Sequence, residues 1–274
     1  MLNPATTNAA LDAARHATML RIERAAAANA ARPCTGPCAE LHEGQRAGAD
    51  IAATLALVSE RVSPQRRLVH AGEELYQAGA RFGNLYLLNS GFFKIVTLAP
   101  DGREQVVGLK FRGDWLGFDG IADSTYRCNA VAMDTGEVWA INYEALLAAC
   151  ARERRLLNAL HEAMSREIGR DRDSLLSMCT LPADARVAEF LRDWADSLAG
   201  RGLRCDQIAL RMTRAEIGNY LGMTLETVSR ALSRLARDKL IAFASKGRRD
   251  VHIPDVQALS AFVQRCLAPA PTLQ

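Results

Sequence analysis

The sequence predicts an α+β protein. An N-terminal antiparallel β-roll of jelly-roll type comes first, then a long amphipathic helix, then a C-terminal winged helix-turn-helix. Three observations lead there. Short β-rich runs punctuated by glycine fill the stretch from about Val62 to Tyr143. An apolar seam of helical period follows, to about Cys179. Two short helices joined at a glycine then occupy Met212 to Leu240, and a strand–turn–strand pattern comes after them.

The chain has 274 residues, 49% of them hydrophobic, which suits two domains with cores of their own. No apolar run approaches 18 residues, so no membrane partner is expected. The N-terminus lacks the basic start and apolar block of a secretory signal. Seven cysteines without framework spacing fit thiols in a reducing cytoplasm.

Residues 1–50 are alanine-rich and offer little to bury, so they predict a mobile arm. Within it, Cys34, Cys38 and His42 are separated by three residues each, a spacing that suits a metal or cluster site. Residues 51–142 are assigned to the roll. Leu85–Leu88, Phe92–Leu98, Glu104–Lys110, Cys128–Ala132 and Glu137–Ile141 read as its strands. Pro100-Asp101-Gly102 is a hairpin turn signal, and regular short strands of this kind make a small antiparallel barrel or jelly roll.

Residues 143–180 return to a helical period. Leu157, Leu160, Met164, Ile168, Asp171 and Leu175 follow one another at steps of three or four. Leu181 to Ala185 reads as a hinge, with Pro182 in the first turn of the next helix. That helix is amphipathic through Val187, Phe190, Leu191, Trp194 and Leu198.

Residues 181–274 make the last domain. Ile217, Tyr220 and Leu221 give its first motif helix one apolar face. Gly222 supplies a residue able to take positive φ, and Thr224 can cap the second helix. On that helix Leu225, Val228, Leu232 and Leu235 should face the core, leaving Glu226, Ser229, Arg230, Ser233 and Arg237 outside. From Arg201 to Asp250 there are 11 Lys or Arg against 5 Asp or Glu, a balance of +6, while the whole chain carries +3. Basic charge is therefore concentrated where phosphates would be met, and double-stranded DNA is the expected partner. Arg214 and the turn cations Lys246 and Arg248 belong to that basic set.

The run TRAEIGNYLGMTLETVSRALSRL strongly resembles the DNA-binding domain of the CRP/FNR transcription regulators, and the FNR branch in particular. The resemblance implies that Glu226, Ser229 and Arg230 read bases. Arg can donate twice to guanine, and a carboxylate can accept from cytosine N4. Leu225 stands where the CRP branch carries an Arg, so an FNR-like TTGAT half-site repeated as a palindrome is expected. The β-rich stretch resembles the family's cyclic-nucleotide-binding β-roll. The long helix resembles its dimerisation helix, which implies a homodimer. Asp171 in that seam would bring two like charges together, implying a weak dimer until a signal or DNA arrives. Surface loops of the roll would contact RNA polymerase.

Two features depart from the family. Cyclic-AMP-binding members use a Gly-Glu pair and a following Arg-Ser pair. Here Phe118-Asp119 and Arg127-Cys128 stand in their places, so cyclic AMP is not expected. Oxygen-sensing members hold an iron–sulfur cluster with four cysteines, but this chain has Trp139 at the fourth position. Cys34, Cys38 and Cys128 with His42 could in principle make a four-ligand set, but nothing in the sequence shows that they converge, so unliganded, redox-responsive thiols are expected rather than a cluster. The alternative reading is a redox or iron–sulfur/metal sensor that uses Cys34, Cys38 and Cys128, and a third is a small-molecule-binding module with a degenerate DNA domain. The five histidines fall in unrelated segments, and no phosphate-binding loop, nucleophile elbow or H-E-x-x-H helix is present. The chain is not expected to be an enzyme.

Overall fold

The computed structural model describes residues 41–99, 102–244 and 249–267, with the backbone alone for 41–47. It opens on helix α1 (Leu41–Val62). Ile51, Leu55, Val58 and Val62, spaced by four, three and four, turn one face of α1 onto the outside of the roll. The expected arm is thus divided. Residues 1–40 lie outside the described residues, and the boundary at residue 50 falls inside a helix.

The roll contains eight strands: β1 (Gln65–Val69), β2 (Glu74–Tyr76), β3 (Asn84–Leu88), β4 (Phe93–Leu98), β5 (Glu104–Lys110), β6 (Trp115–Leu116), β7 (Asn129–Ala132) and β8 (Gly136–Asn142). They form two four-stranded sheets, ordered β1-β8-β3-β6 and β2-β7-β4-β5, with every pairing antiparallel. Val69, Leu75, Tyr86, Leu88, Phe93 and Val138 fill the space between the sheets. Alternation along each strand sends the other residues outward, so Leu85, Leu87 and Ile141 meet the flanking helices instead. The five strands read from the sequence agree with β3, β4, β5, β7 and β8 to within a residue. The other three gave no such signal. In β1 four exposed positions precede one buried one, while β2 and β6 have only three and two residues.

The helical seam divides into α2 (Tyr143–Cys150) and α3 (Arg154–Thr180). Glu153 caps α3 by accepting the N–H of Arg155 at 3.2 Å. Leu156, Leu160 and Ala163 are buried and pack on the roll with Trp115 and Trp139. This corrects one seam assignment, because Leu160 is only 5% exposed and faces the roll. Met164 is half-buried, whereas Ile168, Asp171 and Leu175 are exposed. His161 is exposed too, and steps of four and three from Leu157 place it, rather than Leu160, in line with Met164 and Ile168.

The C-terminal domain follows with α4 (Ala183–Ala199), β9 (Gln207–Ala209), α5 (Arg214–Leu221), α6 (Leu225–Arg237), β10 (Ala242–Phe243), β11 (Asp250–His252) and α7 (Val256–Leu267). Pro182 is the N-cap of α4 rather than a residue of its first turn, with φ −66° and ψ 160°. Val187, Phe190, Leu191, Trp194 and Leu198 are buried on α4, as its amphipathic pattern predicts. Arg234 of α6 donates twice to Asp184 of α4, at 2.6 and 2.5 Å, which ties the two helices together.

The apolar core of this domain does not stop at its boundary. Val96, Val106 and Phe111 of the roll are buried in the same cluster as Phe190 and Trp194. Phe111 and Trp194 meet edge to face at 5.4 Å. Among the described residues no helix is long and apolar enough to cross a membrane.

Candidate DNA-binding interface

The geometry of the helix-turn-helix follows from its caps and glycines. Thr213 and Glu216 form a capping box at the start of α5, so two orphan backbone donors are satisfied reciprocally. The T-x-x-E spacing of this box is visible in the sequence. Gly222 ends α5 with φ +65°, as its position predicts. Gly218 was not singled out, yet the turn depends on it as well. A Cβ there would lie 2.6 Å from the Met223 carbonyl oxygen, so only glycine lets the chain fold back this closely. Thr224 caps α6 by accepting the N–H of Thr227 at 3.2 Å.

On α6, Val228, Leu232 and Leu235 are at most 1% exposed. Leu225 departs from the expected core stripe: it is the first residue of α6 and is 46% exposed. The opposite face presents Glu226, Arg230, Ser233 and Arg237 to solvent. Ser229 is half-buried, and its hydroxyl accepts from Arg214 Nη1 at 3.2 Å. Ser233 donates its hydroxyl to the Ser229 carbonyl at 2.8 Å. Beyond α6, strands β10, β11 and β9 form the wing sheet in that order. Lys246 and Arg248, expected from the sequence at the turn of the wing, lie outside the described residues.

The roll grips this reading head. Asn219 of α5 accepts the Val106 N–H at 2.6 Å and donates to the Glu104 carbonyl at 2.7 Å, while Gln105 donates to the Asn219 carbonyl. Lys94 of β4 pairs with Glu216 at 2.5 Å, and Arg211 pairs with Asp134 at 3.0 Å. Burial alone would raise the Glu216 carboxyl, but Lys94 and the capping Thr213 outweigh it and hold it below its usual range.

A second tie is ionic and deeper. Asp114, 9% exposed, accepts from Arg201 at 3.1 Å and from Arg170 at 2.9 Å, so it joins the roll to the C-terminal domain and to α3. Burial opposes its charge, yet the two guanidiniums hold its carboxyl below the usual range. This node was missing from the sequence reading, since three residues so far apart in the chain give no local signal.

In the roll, Arg127 is turned outward and paired with Asp123. The backbone N–H groups of Arg127 and Cys128 both donate to Asp119 Oδ2, at 2.8 and 3.1 Å. Donors on the segment that resembles the nucleotide-phosphate pair are thus occupied by the chain's own carboxylate. Burial, with Asp119 adding to it, pushes the Cys128 thiol up to about 11. A thiol of that kind stays protonated at neutral pH and is a poor nucleophile or ligand. Cys34 and Cys38 lie outside the described residues, as does the side chain of His42. Among the described residues no three His, Cys, Asp or Glu side chains gather as a metal site.

Comparison with known proteins agrees with this geometry. Residues 185–262 match a Crp-like helix-turn-helix domain, and residues 66–153 match a cyclic nucleotide-binding domain. The chain is 34% identical over 202 residues to the transcriptional activator protein Anr of Pseudomonas protegens, covering 74% of this chain and 82% of that one. It is 32% identical over 187 residues to the fumarate and nitrate reduction regulatory protein of Vibrio cholerae, covering 68% and 75%. Among solved structures, FixK2 from Bradyrhizobium japonicum matches with a TM-score of 0.64 at 27% identity, over 76% of this chain and 98% of that one. A two-sheet roll joined through a long helix to a winged reading head, with relatives of the FNR and Anr type at this identity, places the chain: it belongs to the CRP/FNR family of transcription regulators.

Proposed function

We propose that this regulator acts as a homodimer on a palindrome of TTGAT half-sites, with Glu226, Ser229 and Arg230 selecting bases. The observation that carries this reading is the division of α6 into two faces. Val228, Leu232 and Leu235 anchor it, while Glu226 and Arg230 project together from the exposed side. A guanidinium and a carboxylate one helical turn apart match the guanine and cytosine edges of adjacent pairs in a major groove. Dimerisation through the exposed face of α3 sets two such helices one DNA turn apart, and Ile168 and Leu175 supply its apolar contacts. The signal enters through the N-terminal region, and surface loops of the roll offer the contact for RNA polymerase.

Selection of binding sites from random duplex DNA tests this reading. It is expected to return TTGAT half-sites in inverted repeat. A TGTGA half-site would overturn the assigned base contacts, and a single unrepeated site would overturn the dimer.

A further inference from the structure

Helix α1 touches both domains. Gly48, Ile51, Leu55 and Val58 recur at steps of three, four and three, so Gly48 stands on the face of α1 that the apolar residues define. A Cβ on Gly48 would lie 3.6 Å from the Gly200 carbonyl oxygen, 3.7 Å from the Arg201 carbonyl carbon and 3.8 Å from the Gly202 nitrogen. This part of α1 thus rests against the backbone of the turn between α4 and β9, in the C-terminal domain. One helical turn on, Ile51 lies over Gly113 of the roll, where an added Cβ would come within 2.6 Å of Ile51 Cγ2. Arg201 and the residue after Gly113, Asp114, are the partners of the buried ion pair. Arg201 also donates to the Arg112 carbonyl at 2.7 Å, and its guanidinium lies 5.1 Å from the Phe111 ring centroid. Helix α1 therefore straddles the junction between roll and reading head beside that pair.

Resting on the reading of this chain as a dimeric DNA-binding regulator, we infer that α1 is a strap: by bearing on Gly113 and on the Gly200–Gly202 turn together, it fixes the orientation of the reading head on its own roll. Two heads engage one duplex only when both hold the orientation that its half-sites demand. A head that holds it one tenth of the time binds about tenfold more weakly. Glycine weakens a helix interior, but a large apolar side chain continuing the stripe at position 48 would push α1 off the turn. Cys34 and Cys38 precede α1 in the chain, His42 is its second residue, and Gly48 follows six residues later. A displacement of the start of α1 therefore reaches the head directly, which makes the strap a route from the N-terminal region to DNA binding.

Hydrogen exchange and DNA titration of the full chain test the strap, with wild type set against Gly48→Ala, Gly48→Trp, Ile51→Ala and Ala53→Trp. Gly48→Trp wedges α1 away from the turn, and Ile51→Ala weakens its hold on Gly113 without adding bulk. Both are expected to speed amide exchange across residues 200–203 on the order of tenfold. Both should also weaken binding of the selected duplex on the order of tenfold, while the selected half-site stays the same. The methyl added by Gly48→Ala meets other atoms only at 3.6 Å and beyond, so that variant should behave as wild type. Ala53→Trp, on the exposed face of α1, should do so too. Leu55 and Val58 still anchor α1 in every variant, so the roll keeps its fold. Unchanged exchange or unchanged affinity in Gly48→Trp and Ile51→Ala, tighter binding by either, or an equal effect of Ala53→Trp would each overturn the strap and leave the regulator reading intact. A wild-type chain that selects no inverted repeat would overturn that reading and the strap's part in DNA binding with it, whereas the exchange comparison reports the α1 contact in either case.

Discussion

Asn219 and Val106 are 113 residues apart in the chain, yet the Asn219 side-chain oxygen accepts the Val106 N–H at 2.6 Å. The first helix of the reading motif is in this way sewn to a strand of the roll, beside the Lys94–Glu216 ion pair. Asn219→Ala removes two side-chain bonds and leaves the Val106 N–H and the Glu104 carbonyl without those partners. The expected loss is roughly 1–3 kcal/mol of stability in urea unfolding. The variant should also be cleaved faster by protease near Leu181-Pro182, while its selected half-site stays the same. An unchanged unfolding midpoint would show that the grip contributes nothing in solution.

Asp114 makes a stronger claim on stability. Its two guanidinium partners and its burial mean that Asp114→Ala leaves the Arg201 guanidinium, itself 8% exposed, without its carboxylate. Breaking a buried pair on one side costs about 3–5 kcal/mol. The pH dependence follows from the depressed carboxyl. The unfolded chain binds this proton more readily than the native one, so the stabilisation is complete above the ordinary aspartate range of about 4 and fades as pH falls through the lower native value. Acid unfolding of the wild type should therefore steepen below that range, and in Asp114→Asn this part of the pH dependence should vanish. A variant with the wild-type acid profile would contradict the assignment.

The seam of α3 yields a prediction in which two of its leucines behave differently. Leu160 is buried against the roll, whereas Leu175 is 59% exposed. Leu160→Ala should destabilise the subunit by about 2–5 kcal/mol. Leu175→Ala should leave subunit stability within about 0.5 kcal/mol and weaken self-association. Asp171→Ala should tighten it, if the exposed Asp171 carboxylates of two subunits meet in the proposed dimer. Urea unfolding reads the subunit stabilities, and sedimentation equilibrium at several concentrations reads the two changes in self-association. A tight wild-type dimer unchanged by Asp171→Ala would remove the conditional dimer from the account.

The misassigned Leu160 shows what the sequence could and could not convey. A stripe at steps of three and four reveals a helix with an apolar side, but α3 has two apolar sides, one for the roll and one left open, and periodicity alone merges them. Much of the local chemistry was legible, although the Thr213–Glu216 capping box and the close approach at Gly218 were passed over. The positive φ of Gly222, the Thr224 cap and the outward set from Glu226 to Arg237 all follow from spacing within one motif. The contacts of Asn219 and the Asp114 node were not legible, because each joins segments separated by 56 residues or more. Asp114 in particular lies in a Gly113-Asp114-Trp115 run that reads as a turn, and its burial is decided by Arg201, on a different domain.

Cys128 gives the last prediction. It is about half-buried, and burial together with Asp119 pushes its thiol up to about 11. At pH 8 only about one molecule in a thousand then carries the thiolate that reacts with an alkylating agent. Cys179, in the last turn of α3, is exposed and serves as the internal standard. Mass mapping after a brief iodoacetamide pulse should find Cys179 labelled well before Cys128. Unfolding in urea should bring the two rates together. Cys128→Ser should leave DNA affinity and its response to oxidants unchanged, because a thiol held protonated inside the roll is slow to oxidise. Rapid labelling of Cys128 in the native chain, or loss of an oxidant response in the serine variant, would return this residue to the centre of signal sensing.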